Sequence, residues 1–194
     1  MNIKSYYTIR FIISFIWTVG VIGACGTSAG NNSNNIPTDS SSPPSFIIEE
    51  LNKSFPDWRV KRAGDLDSGH QDLWAKANPS ESPGNVAGRF QDNKTTGYVL
   101  LLVPAKGDRK DYLVVLFSKF SNGLELKSFQ IAAEKNQVLE RVVIKKIPKG
   151  TYFGNDDETK IKLKYDGIQV EDLEVGSVIY YWSNGLFKRV IEAD

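Results

Sequence analysis

"GYVLLLV" (97–103) and "YLVVLFS" (112–118) decide the fold of this chain. Both are short, unbroken apolar runs, the pattern of central strands covered on both faces. Moving outward, "LELKSFQI" (124–131), "QVLERVVIKKI" (137–147) and "KIKLKY" (160–165) alternate, as half-exposed strands do. "SVIYYWSNGLFKRVIE" (177–192) holds two strand runs around Ser183-Asn184-Gly185, and Asn-Gly is a strong signal for a tight hairpin. Ser121-Asn122-Gly123 repeats that signal between the second apolar run and the strand after it. Sequential hairpins build antiparallel sheet.

One helix precedes the strands. In "FIIEELNKSF" (46–55), Ile47, Ile48, Leu51 and Phe55 share a face at helical spacing, Ser45 suits the N-cap, and Pro56 stops the run. A second short helix is expected within "IAAEKNQV" (131–138). The fold class is therefore α+β, predominantly antiparallel β-sheet with an N-terminal helix packed on it.

The first 45 residues read differently. Lys4 and Arg10 are the only charges before Asp39, and Phe11 to Ala24 is apolar or small throughout. This is the plan of a secretory signal, residues 1–24; the run is short of the roughly 20 residues of a permanent span, although an uncleaved anchor helix is the other reading. Ile22-Gly23-Ala24-Cys25 resembles the lipobox of bacterial lipoproteins, with Ile22 where Leu is commoner. The resemblance implies a diacylglycerol thioether on Cys25, cleavage before it, and a home in the cell envelope. Gly26, where the best-known sorting rule places Asp for inner-membrane retention, favours the outer membrane. A lone cysteine is more often a small buried hydrophobe, but this one stands between a signal core and a polar tract. Residues 26–45, "GTSAGNNSNNIPTDSSSPPS", hold one sizeable aliphatic, Ile36, and one charge, Asp39, so the segment after the lipidated cysteine is a disordered tether reaching roughly 25 Å.

Residues 46–194 then form a single globular domain, long enough for a sizeable core. Removing Lys4 and Arg10 leaves 22 basic against 23 acidic residues, which argues against general nucleic-acid binding. With no cysteine after Cys25 the domain has no internal disulfide.

"GRFQDNKTTGYVLLL" (88–102) resembles the Gly-Asp-Phe…Tyr-x-Leu-Leu-Leu segments of FG-GAP and VCBS-type repeats, and "YYWSNGLF" (180–187) resembles the terminal element of small exported proteins that carry one copy. The aspartates that form a cation loop in that pattern are Arg89, Asn93 and Gly97 here. Calcium wants six or more hard oxygens, so the reading keeps strand–turn–strand and expects no metal or other cofactor.

Candidate chemistry is sparse. "DLDSGHQD" (65–72) gathers Asp65, Asp67 and Asp72 with the sole histidine, His70, but misses the EF-hand spacing and reads as a polar surface loop. "NDDE" (155–158) reads as a hairpin tip. No nucleophile elbow, P-loop, H-E-x-x-H or S-x-x-K occurs. Trp58, Trp74 and Trp182 read as core or rim. Lys160, Lys162 and Lys164 alternate with Ile161, Leu163 and Tyr165 and so share one strand face, either solvated or docking an acidic partner, with Glu171, Asp172 and Glu174 close enough in sequence to neutralise it. The function expected is a lipid-anchored envelope module that binds a protein or glycan partner without catalysis, of inhibitor or immunity type for example. The alternative is an envelope hydrolase using paired carboxylates, since many acid pairs remain.

Overall fold

The strand runs seen in the sequence lie in two facing antiparallel sheets and a separate hairpin. The computed structural model describes residues 42–119, 126–153 and 160–191. In order these form helix α1 (Ser45–Ser54), strand β1 (Trp58–Val60), helix α2 (Ser68–Ala77), then β2 (Asn85–Gly88), β3 (Gly97–Pro104), β4 (Tyr112–Lys119) and β5 (Leu126–Glu134). There follow β6 (Val142–Ile147), β7 (Gly150–Phe153), β8 (Lys160–Leu163), β9 (Gly167–Asp172), β10 (Gly176–Ser183) and β11 (Leu186–Ile191). Single 3-10 turns lie at Ala63–Asp65 and Leu139–Arg141. The first sheet runs β1-β3-β4-β5, with β2 sharing the β1 edge of β3; the second runs β11-β10-β9-β6; β7 and β8 pair only with each other. The protein is α+β and β-dominated, as its sequence predicts.

Register explains the unbroken apolar runs. Leu100 sits opposite Val115 and Leu102 opposite Leu113 on one face, while Val99 faces Leu116 and Leu101 faces Val114 on the other. The first face packs with Phe117 against Ile47 and Leu51 of α1. The second packs against Ile144, Ile168, Val170 and Tyr180 of the second sheet. Both faces are covered by apolar side chains, which is why the two strands are apolar nearly throughout. Each fully buried Leu, Val or Phe here contributes roughly 1.5–3 kcal/mol. Ile48 of α1 and Phe55, just past its end, join the same cluster, and Phe55 meets Phe117 edge-on at 6.2 Å. The helix begins at Ser45 itself; Pro44 holds the cap position and no side chain caps it.

The outer face of the second sheet has two covers. Trp74 of α2 and Leu66 pack on Val143. At the other end, Ile161 and Leu163 of β8 pack on Ile147 and Ile179. Gly167 makes that second contact: a Cβ there would stand 2.6 Å from Leu163 Cδ2 and 2.8 Å from Ile147 Cγ1.

Several expectations needed correction. Residues 131–138 are not helical: β5 runs on to Glu134, because Ala133 and Glu134 still find ladder partners in Leu113 and Tyr112. "DLDSGHQD" is not a loop; Asp67 caps α2 by accepting the His70 N–H at 3.0 Å. "QVLERVVIKKI" is a strand only from Val142, after a 3-10 turn. The Asn184-Gly185 hairpin holds, with φ of 53° and 82°, the two positive values a tight primed turn requires. Ser121-Asn122-Gly123, "NDDE" and Cys25 lie outside the described residues.

Candidate functional site

The lysine row is built by strand alternation. In β8, Ile161 and Leu163 are buried while Lys160 and Lys162 are exposed, and Lys164 continues the row beyond the strand end. Phe153 and Thr151 stand opposite Lys160 and Lys162 on β7, so the solvent face of this hairpin carries an aromatic ring, 53 % exposed, among cations. Lys164 Nζ lies 5.2 Å from the Tyr165 ring centroid. The acids expected to neutralise the row do not: Glu171 pairs with Lys145 at 2.6 Å, and Asp172 and Glu174 both pair with Arg141. The reason is topological, since the strand beside β8 is β7 and not β9. Among the described residues no carboxylate lies within ion-pair distance of Lys160, Lys162 or Lys164.

Residues 88–102 do form a strand, a turn and a strand, β2 and β3 pairing from Gly88↔Gly97. Within the turn, Asp92 accepts the Lys94 and Thr95 N–H groups at 2.7 and 2.6 Å. Partial burial pushes this carboxyl up, but the two hydrogen bonds outweigh it and hold Asp92 below the usual range. Its Oδ1 accepts both and closes the loop on itself.

The structure keeps only part of the His70 cluster together. Asp65 turns away to fork onto Arg59, at 2.6 and 2.7 Å. Asp67 faces His70 Nδ1 at 2.6 Å, and Glu174 stands 3.8 Å from Nε2. Asp72 lines a shallow depression with Leu73 on the outer side of α2. No group of three or more metal-ligating side chains forms among the described residues. Trp74 is buried, 4 % exposed, while Trp58 and Trp182 are half-buried, in keeping with core and rim.

Two features had no signal in the sequence. Lys61, one residue past β1, is 1 % exposed. Its N–H donates to Leu101 O at 2.9 Å and its ammonium donates to Leu139 O, which ties the first sheet to the turn before β6. Burial pushes this lysine down to about 8, and Asp65 and Glu140 restore only part of the loss. Next to it a groove of about 360 Å³ lies between the 107–110 loop and residues 137–140, which are joined where the Gln137 N–H donates to Lys110 O at 2.8 Å. Arg59 and Asp65 reach it from one short segment and Glu140 from another far along the chain, so no local motif announces it.

Compared with known protein families, with curated proteins and with solved structures, the chain matches none.

Proposed function

We propose that this is a lipid-anchored protein of the bacterial cell envelope, exported by residues 1–24 and held by acylated Cys25, with the outer membrane favoured. Its folded part is a non-catalytic module that binds a protein or glycan partner. The observation that carries the reading is the β7–β8 hairpin: Lys160, Lys162 and Lys164 around an exposed Phe153, with no carboxylate among the described residues set against them. Exposed cations steer an acidic partner in, and a solvent-facing aromatic supplies the kind of anchor that interfaces use. The rival hydrolase would need one carboxyl held protonated as general acid. The displaced carboxylates among the described residues, Asp65, Asp67, Asp92 and Asp111, all move the other way.

Crosslinking in the native envelope, followed by identification of the captured molecule, tests this directly. With that partner in hand, changing all three lysines to Glu should slow association and flatten its salt dependence, while the fold survives on Ile161 and Leu163. Unchanged association kinetics would return the row to a merely solvated face.

A further inference from the structure

The groove beside Lys61 plays no part in that reading. Its volume of about 360 Å³ is that of a small-ligand site, for which roughly 300–1,000 Å³ is usual. Three cations line it, Arg59, Arg109 and Lys110, and three carboxylates, Asp65, Asp108 and Glu140. Equal numbers leave no net field to draw in an anion or a cation. Two of the cations are also already committed. Arg59 forks onto Asp65, and Arg109 holds Asp111 at 2.6 and 3.1 Å. An anion on the spare donors of either guanidinium would sit beside that fork's carboxylate, and a cation on the carboxylate would sit beside the guanidinium, so each charge meets its like.

A neutral, hydroxyl-rich ligand avoids this. A guanidinium has five N–H donors, and each fork uses two of them; Asp65 Oδ2 also accepts the Arg62 N–H at 2.7 Å, which leaves a lone pair to spare on Oδ1. Each fork thus offers donors and acceptors side by side in one rigid plane. Adjacent sugar hydroxyls, each both donor and acceptor, need that combination. The forks are held before any ligand arrives, which lowers the ordering cost of binding. The guanidinium carbon of Arg109 stands 4.7 Å from the Trp58 ring centroid, a contact that helps hold the second fork in place. Val138, 44 % exposed, and Pro104 give the walls some apolar area.

We infer that this groove is a binding site for a neutral oligosaccharide, with the Arg59–Asp65 fork reading its hydroxyls. The site stands apart from the lysine row and does not depend on the lipid anchor.

The test is calorimetry on the full chain, purified in a detergent without a sugar headgroup, against chitotetraose and cellotetraose. Polyglutamate and spermine serve as charged probes. At least one neutral oligosaccharide should bind saturably, with a Kd of about 1 mM or tighter. Arg59→Gln should weaken it about tenfold, and so should Lys110→Ala, an exposed change that leaves the Arg59–Asp65 fork intact. Absence of saturable heat from both oligosaccharides overturns the assignment. So does binding that survives both substitutions unchanged. Heat from polyglutamate alone would overturn it too, and would give the groove to an acidic protein partner.

Discussion

Lys61→Met should make this protein more stable at neutral pH. The side chain is shut away at 1 % exposure, and its ammonium meets a carbonyl, Leu139 O, rather than a carboxylate. Its pKa stands at about 8 against an ordinary 10.5. At about 1.4 kcal/mol per pH unit, keeping the charge buried costs about 3 kcal/mol. Methionine retains the length and the apolar stem but cannot donate to Leu139 O, a loss of about 1 kcal/mol. The variant should therefore gain about 2 kcal/mol at pH 6.5. The gain depends on pH in a fixed direction. Between about 8 and 10.5 the unfolded wild type binds more protons at this position than the folded one, so wild-type stability rises through that window. By pH 9.5 the advantage of the variant should have shrunk by about 2 kcal/mol. Urea unfolding of both proteins at pH 6.5 and 9.5 measures this, and taking the difference cancels every other titrating group. A variant less stable at pH 6.5, with a difference that ignores pH, would refute the argument and make Lys61 a net stabiliser through its carbonyl contact.

Three other outcomes are expected. Cells fed labelled palmitate should label the wild type and leave Cys25→Ser unlabelled; equal labelling would remove the lipid anchor. Gly167→Ala should cost about 1–3 kcal/mol by forcing Leu163 and Ile147 apart, read as a lower unfolding midpoint, whereas an unchanged midpoint would show that the hairpin yields freely. Thermal melting with chelator or with millimolar calcium should give the same midpoint, since the Asp92 carboxylate is taken up by Lys94 and Thr95; a rise of several degrees would reveal a native-state site.

Local patterns carried much of the architecture. The runs at 97–103 and 112–118 are apolar because both of their faces are covered, and that composition is visible without knowing what covers them. The helical stripe Ile47, Ile48, Leu51, Phe55 and the Asn184-Gly185 turn are equally local, since spacing and backbone preference act within a few residues. The one-faced placement of Lys160 and Lys162 follows from strand alternation alone. Helix α2 escaped detection because Trp74 is its one buried residue, which leaves no stripe to see. The short strands β1, β2, β7 and β9 depend on ladder partners and packing supplied by other segments, which no pattern within them records.

The sites divide along the same line. Sequence determined which face the lysines share; only the fold decided that Glu171, Asp172 and Glu174 serve Lys145 and Arg141 instead. Sequence brought Asp65, Asp67, Asp72 and His70 together as a cluster; the structure keeps Asp67 on His70, sends Asp65 to Arg59 and leaves Asp72 on the outer side of α2. Lys61 looks like any surface lysine until two sheets close over it. The groove beside it joins residues 59–65, 103–110 and 137–140, and such a surface exists only once chain segments distant in sequence have packed. Charge compensation and burial are properties of neighbours in space, and these neighbours are set by tertiary packing.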